Sequence, residues 1–151
     1  IDLLWIAVAV AGAAVVAVAD GTVVLARGDA PDNRQFDQGK LATDPMVLFG
    51  NVVVIDHGNG EFGVYAHARQ GSVRVAAGQA VLRGEVIAQV GASGSAFFPH
   101  LHFQLQDGPD TGSEGLPSYF DDFSRVIGDR RIARSQATVD TGEIVESTAR
   151  D

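Results

Sequence analysis

Apolar residues in this chain come in short, β-branched runs broken by glycine, a pattern that predicts strands rather than helices. Val15 to Leu25 reads as a strand, an Asp20-Gly21 turn and a second strand. Arg27 to Met46 turns polar, with Pro31-Asp32-Asn33 and Asp44-Pro45, and reads as a long surface loop of the kind that is often functional in compact domains. Val47 to Asp56 is β-branched, Gly58-Asn59-Gly60 is a hairpin signal, and Glu61 to Ala68 is the returning strand. Ser72 to Val75, Ala80 to Leu82 and Val86 to Val90 are further short strands separated by Gly78 and Gly84. After the Gly91-Ala92-Ser93-Gly94-Ser95 loop, His100 to Gln106 is one more. No helical period precedes Ser118. The expected fold is all-β, an antiparallel β-sandwich or partly open barrel of short, Gly-punctuated strands. Pro117 to Val126 reads as one short helix. Residues 1–128 are expected to form a single domain and residues 129–151 a polar C-terminal tail with few large apolar side chains.

The first nineteen residues carry one charge, Asp2, and are long enough to span a bilayer, which takes about 20 apolar residues. They are rich in Val and Ala rather than Leu, contain Gly12, run straight into Asp20-Gly21 and have no flanking Lys or Arg cluster. Two buried strands with Gly12 near the break fit this composition better than a transmembrane segment. The chain opens on Ile1 rather than a methionine, so further residues are expected upstream.

At 151 residues and a formal net charge of −8, the chain has room for one core and a surface that repels phosphate backbones. The densest basic run, Arg130-Arg131-Ile132-Ala133-Arg134, is too short to reverse this, so no nucleic-acid partner is expected. Cysteine is absent, which removes thiolate metal sites and cysteine nucleophiles.

Chemistry therefore rests on histidine and carboxylate. Pro99-His100-Leu101-His102-Phe103 places two imidazoles two residues apart. On a strand such residues share a face with Cα atoms roughly 6–7 Å apart, while Leu101 and Phe103 face the core. Two such rings can converge on one metal, or one can bind metal while the other moves a proton; the same pattern also suits two polar side chains on a solvated face. His67, at the end of the strand returning from the hairpin, shares a face with Tyr65 under strict alternation. His57, between a strand end and a turn, reads as structural or merely exposed. A hydrolytic zinc site draws about three ligands from His and carboxylates and keeps one position for water. Asp2 is the carboxylate of interest, because among Ile1, Leu3, Leu4, Trp5 and Ile6 it is either exposed at a chain end or held by a partner or cation.

Taken in order, several segments resemble the lysostaphin-type zinc endopeptidases, which cut peptidoglycan peptides. They are Val16 to Val24, Gly50 to Gly60, Tyr65-Ala66-His67, Gly71 to Val75, Gly78 to Val81, Arg83 to Ile87, Gly91 to Gly94 and Pro99 to Phe103. The resemblance covers roughly residues 13 to 106. It implies an antiparallel β domain with a groove floored by the sheet and a single zinc ion. Among the implied ligands, the second histidine of His-x-His falls on His102 and the aspartate of an upstream His-x-x-x-Asp motif on Asp2, its histidine lying before Ile1. The family's proton-handling histidines fall on His67 and His100, with Tyr65 beside His67. A monomer is expected, and the resemblance implies action on peptidoglycan peptides outside the cytoplasm, in the periplasm, in the cell envelope or after secretion. The alternative is a degenerate, non-catalytic member that regulates or binds other wall hydrolases.

Two other readings have less support. The Gly78 to Ala88 spacing also resembles lipoyl or biotinyl carrier domains, but those need a lysine at a hairpin tip, and the single lysine, Lys40, lies in the polar loop. A carbohydrate-binding sandwich calls for exposed aromatics, and aromatics are only 7% of the chain.

Overall fold

A computed structural model describes residues 11–139 and 143–148. Within them, five strands form the central sheet, in the order β5-β2-β3-β4-β7: β2 (Gly21–Arg27), β3 (Asn51–Asp56), β4 (Phe62–Ala68), β5 (Ala80–Val81) and β7 (His102–Gln106). β1 (Ala14–Val16) pairs with β6 (Val86–Gln89) as a second, two-stranded layer. All pairings are antiparallel. The edge strands β5 and β7 do not pair with each other, so the fold is a sandwich and not a closed barrel.

β3 explains the arrangement. Val52, Val53, Val54 and Ile55 are all fully buried, which requires cover on both faces of the sheet. Val53 and Ile55 pack with Val15, Ala17, Ile87, Ala88 and Val90 of the small layer, together with Tyr65 and Phe103. Val52 and Val54 face the other way, with Val64, Ala66 and Met46, against Leu25, Phe49 and Phe62. Each such side chain contributes about 1.5–3 kcal/mol relative to exposure, so the register of this strand is strongly fixed.

The pairing of β3 with β4 breaks register near the start of β3. Val53 pairs with Tyr65, but Asn51 pairs with Ala68, so three residue steps on β4 span two on β3. This is a β-bulge, and within it His67 has a φ of +59°, a conformation uncommon for a residue with a Cβ. The extra residue reverses the alternation: Tyr65 and Ala68 both belong to the cluster under the small layer. The strict alternation expected from sequence, with Tyr65 and His67 on one face, does not hold here.

Several boundaries also differ from the sequence reading. Arg27 to Met46 is a loop containing the 3-10 turn Gln38–Lys40, and a second such turn, Pro45–Phe49, leads into β3. Ser72 to Val75 forms no strand; Arg74 donates a single backbone bond to Ile87. β7 begins at His102, leaving His100 in the preceding loop. The helix expected over Pro117–Val126 is absent, and Phe123–Ile127 is a strand, β8. It forms a hairpin with β9 (Arg130–Arg134) through Gly128 (φ +61°), and β10 (Ile144–Ser147) pairs along its other side. Residues beyond Gly128, read as a polar tail, thus include two strands. Cross-strand pairing outweighs the weak local helical preference, helped by contacts between partners distant in sequence. Arg131 holds Glu146 through two nitrogens at 2.7 and 3.0 Å, and Arg125 meets Glu143 at 2.9 Å. Phe120, just before this sheet, packs on Phe103 of the core.

Among the described residues, no helix is long and apolar enough to cross a membrane.

Candidate active site

Three of the four histidines meet at the bulge. The His67 ring lies 4.8 Å from that of His100 and 5.8 Å from that of His102, centroid to centroid. All three are buried. His102 pairs with Ala66 across β4 and β7, which places it on the sheet face carrying Val52, Val54 and Val64, and its ring packs against Phe49 at 5.3 Å. His100 arrives from the loop, its ring 5.1 Å from Phe98.

Hydrogen bonds decide which nitrogen of each ring carries the proton. His67 Nδ1 lies 2.8 Å from the Ser93 carbonyl and His100 Nδ1 lies 2.8 Å from the Phe98 carbonyl. A carbonyl only accepts, so both Nδ1 atoms are N–H donors, and in the neutral rings the lone pair sits on Nε2. Burial is the main cause lowering His67 to about 4, with His100 and His102 adding repulsion against the Ser93 bond. Burial also lowers His102, opposed by its bond to Gln104. Both rings are therefore neutral at neutral pH and able to act as acceptors or ligands.

The shift at His67 has a consequence for stability. The unfolded ring titrates near 6.5 and the folded one near 4, so the unfolded state binds more protons between these values. Stability of the chelator-treated protein is expected to fall by about 3 kcal/mol as pH drops from 6.5 to 4, with no further loss from this group below that. Urea titrations of the wild type and His67→Gln across this range check it: the variant should show a flatter profile.

The bulge is held from below by a buried polar network that the sequence reading did not single out. Asn51 Oδ1 accepts from Ala30 N (2.7 Å), while its Nδ2 donates to the carbonyls of Ala30 (2.8 Å) and Ala68 (3.0 Å). Its backbone N–H donates to Ser93 Oγ at 2.9 Å, and that hydroxyl donates to the Ala68 carbonyl at 2.7 Å. Asn51 is wholly buried, and its side chain replaces bonds the interrupted ladder cannot make. Asn51→Leu leaves the Ala30 groups unpaired and is expected to destabilise by about 3 kcal/mol or more, measurable as a lowered urea midpoint. An asparagine at the head of an otherwise apolar strand was the available sequence signal.

The long loop is tied to the same region. Asp32 accepts from the backbone N–H groups of Gln70 and Ala92, both at 2.9 Å, and Arg34 N donates to the Ala92 carbonyl. Arg27 and Asp44 pair at 2.6 Å across the loop, and this partner holds the Asp44 carboxyl below the usual range. A cavity of about 650 Å³ lies among these residues and adjoins the site at Gly50, Asn51 and Gly94, but none of the three histidines lines it.

Other expected residues fall elsewhere. The Tyr65 hydroxyl accepts from Val18 N at 2.9 Å and its ring packs on Phe103, so it serves the core rather than standing beside His67. Burial pushes that phenol up to about 12. His57 Nδ1 bonds the Asp20 carbonyl at 2.9 Å, a structural contact away from the three rings. Asp2 lies outside the described residues. Among the described residues no three His, Cys, Asp or Glu side chains form a metal-binding group.

A model of one family, Peptidase family M23, matches residues 5–113. The chain belongs to Peptidase family M23. It is 34% identical over 95 residues to the murein hydrolase activator EnvC of Escherichia coli strain K12, a match covering 63% of this chain and 18% of that protein. It is 33% identical over 76 residues to the cell division protein DipM of Caulobacter vibrioides, covering 50% of this chain and 12% of the relative. The matched region is thus less than one fifth of either relative's length. The catalytic domain of the antimicrobial peptidase lysostaphin from Staphylococcus simulans superposes with a TM-score of 0.52 at 22% identity, over 70% of this chain and 68% of that one. That likeness establishes a shared lysostaphin-type fold.

Proposed function

We propose that this chain carries a zinc-dependent endopeptidase site that hydrolyses peptide bonds in peptidoglycan cross-links or stem peptides, outside the cytoplasm. The observation that carries it is the convergence of His67, His100 and His102, two of them held neutral by burial, in a chain of the M23 family.

The surroundings of His102 support a role as a ligand to a divalent cation. A ring binds metal only when neutral and is usually oriented by a hydrogen bond at its other nitrogen; His102 is neutral through burial and lies 3.4 Å from Gln104 Oε1. In this reading His102 and Asp2 are ligands, joined by a histidine upstream of Ile1. Zinc, when bound, supplies a Lewis acid for the scissile carbonyl and lowers the pKa of its water toward about 7.

His67 and His100 handle protons. Each presents Nε2 as an acceptor because its Nδ1 is committed to a backbone carbonyl, so each can orient the attacking water. Once its Nε2 has taken a proton from the attacking water, His67 is a strong acid for an imidazole, because its buried surroundings disfavour the cation. It therefore gives its proton readily to the leaving amine nitrogen, or hydrogen-bonds the oxyanion that grows beside it.

The similarity to a murein hydrolase activator supports a second reading, a non-catalytic module that regulates a separate wall hydrolase. The two separate cleanly in the full-length protein. Elemental analysis should show about one zinc per chain, and purified sacculi should yield new peptide amine termini in a chelator-sensitive way. A full-length protein that holds no zinc and releases no such termini, yet speeds a purified wall hydrolase, overturns the peptidase reading.

A further inference from the structure

One face of β7 carries a run of polar side chains whose polarity can be read from its far end. Gln106 Nε2 donates to two backbone carbonyls, Gly108 at 2.6 Å and Asp110 at 3.0 Å. Carbonyls only accept, so the Gln106 amide is fixed with its nitrogen toward the 108–110 turn. Its Oε1 must then face back along the strand, where Gln104 Nε2 donates to it at 3.1 Å. That bond in turn fixes the Gln104 amide and directs its Oε1 to His102 Nε2, at 3.4 Å. An acceptor facing Nε2 requires that Nε2 carry the proton.

We propose that Gln104 and Gln106 are positioning residues that lock neutral His102 as the Nε2–H tautomer, with Nδ1 as its lone-pair nitrogen. The neighbouring rings are set the other way. His57, His67 and His100 all direct Nδ1 at backbone carbonyls and are Nδ1–H tautomers when neutral. The chain therefore uses two devices at one site. Local carbonyls set the two proton-handling rings, and a relay three side chains long, anchored in a turn, sets the third. Gln106 is buried and so its anchor is rigid, whereas Gln104 is half-buried and pairs with Val64 across the sheet. The link at 3.4 Å is the longest of the relay, so it orients rather than grips. Any cation held by this ring meets Nδ1. That last consequence rests on the peptidase reading; the tautomer assignment does not.

The test is long-range proton–nitrogen NMR of histidine-labelled, chelator-treated full-length protein at a pH where the rings are neutral, followed by zinc titration against a chelating dye. Of the four histidines of this chain, His57, His67 and His100 serve as internal references. Among these four rings, the expected spectrum shows only His102 with a protonated Nε2 and an unprotonated Nδ1. Gln104→Leu removes the acceptor and should mix the His102 tautomers and weaken zinc binding by roughly 10–100-fold. Gln104→Glu keeps an acceptor toward the ring and should restore the wild-type tautomer. Gln106→Leu, which frees the Gln104 amide to turn, should give an intermediate mixture.

Observation of His102 as the Nδ1–H form in the wild type overturns the proposal, and so does a Gln104→Leu spectrum identical to the wild type. An Nε2–H ring in a protein that takes up no zinc leaves the relay standing and removes the peptidase reading.

Discussion

If the chain acts as the proposed zinc peptidase, His67→Ala is expected to keep bound zinc and lose turnover by about 10²–10⁴-fold, the usual share of a positioned acid–base group. His102→Ala is expected to lose the metal itself, by more than the 10–100-fold that follows removal of an outer hydrogen-bond partner. The contrast is what matters, because both rings lie within one cluster and a general disturbance of the site would affect the two measurements together. His67 has its Nδ1 committed to Ser93, and its φ of +59° belongs to a bulge, so alanine there risks shifting the backbone. His67→Asn controls for this, since asparagine adopts that conformation more readily than most residues. If His67→Asn retains wild-type cleavage of sacculi, the ring moves no proton and its assigned role is wrong. If His102→Ala still binds one zinc tightly, the ligand set is wrong.

Gly94→Ala is expected to cost about 3 kcal/mol or more, a large part of the 5–15 kcal/mol that a domain of this kind has. Gly94 and Gly50 cross with their backbones in contact, at φ of +68° and +62°. A Cβ on Gly94 would lie 2.5 Å from Gly50 N and from the Leu48 carbonyl oxygen, both main-chain atoms that cannot swing aside. The left-handed conformation adds its own cost for any residue with a Cβ. The effect should reach function, because the preceding residue, Ser93, supplies the carbonyl that orients His67 and the hydroxyl that joins Asn51 to Ala68. Thermal unfolding of Gly94→Ala should show a midpoint lowered by several degrees. A midpoint within a degree of the wild type would mean the two loops separate at little cost.

Strands β2, β3, β4 and β6 were legible because their apolar runs are short and β-branched and end at glycine or Asp-Gly signals. Phe123–Ile127 was not: its fate depends on Arg130–Arg134 and Ile144–Ser147 pairing on either side, and that pairing is invisible to a local pattern. At the site, His100, His102, Gln104 and Gln106 alternate with Leu101, Phe103 and Leu105 as one polar edge, but what separates the glutamines from ordinary surface polar residues is their anchoring to the 108–110 turn, which alternation does not encode. The meeting of His67 with the pair across β7 had no local signal beyond the ordered family motifs.

The sequence by itself pointed to an all-β member of its family and to the three imidazoles that come together, because side-chain period and residue chemistry are local properties. Only the tertiary structure decided that His67 leaves the Tyr65 face, which partner fixes each ring's proton, and that Asn51 and the Gly50–Gly94 crossing support the bulge. Those outcomes depend on register and, at His67, Asn51 and the glycine crossing, on contacts between residues 17 to 44 positions apart, where backbone strain at one place is offset by hydrogen bonds made at another.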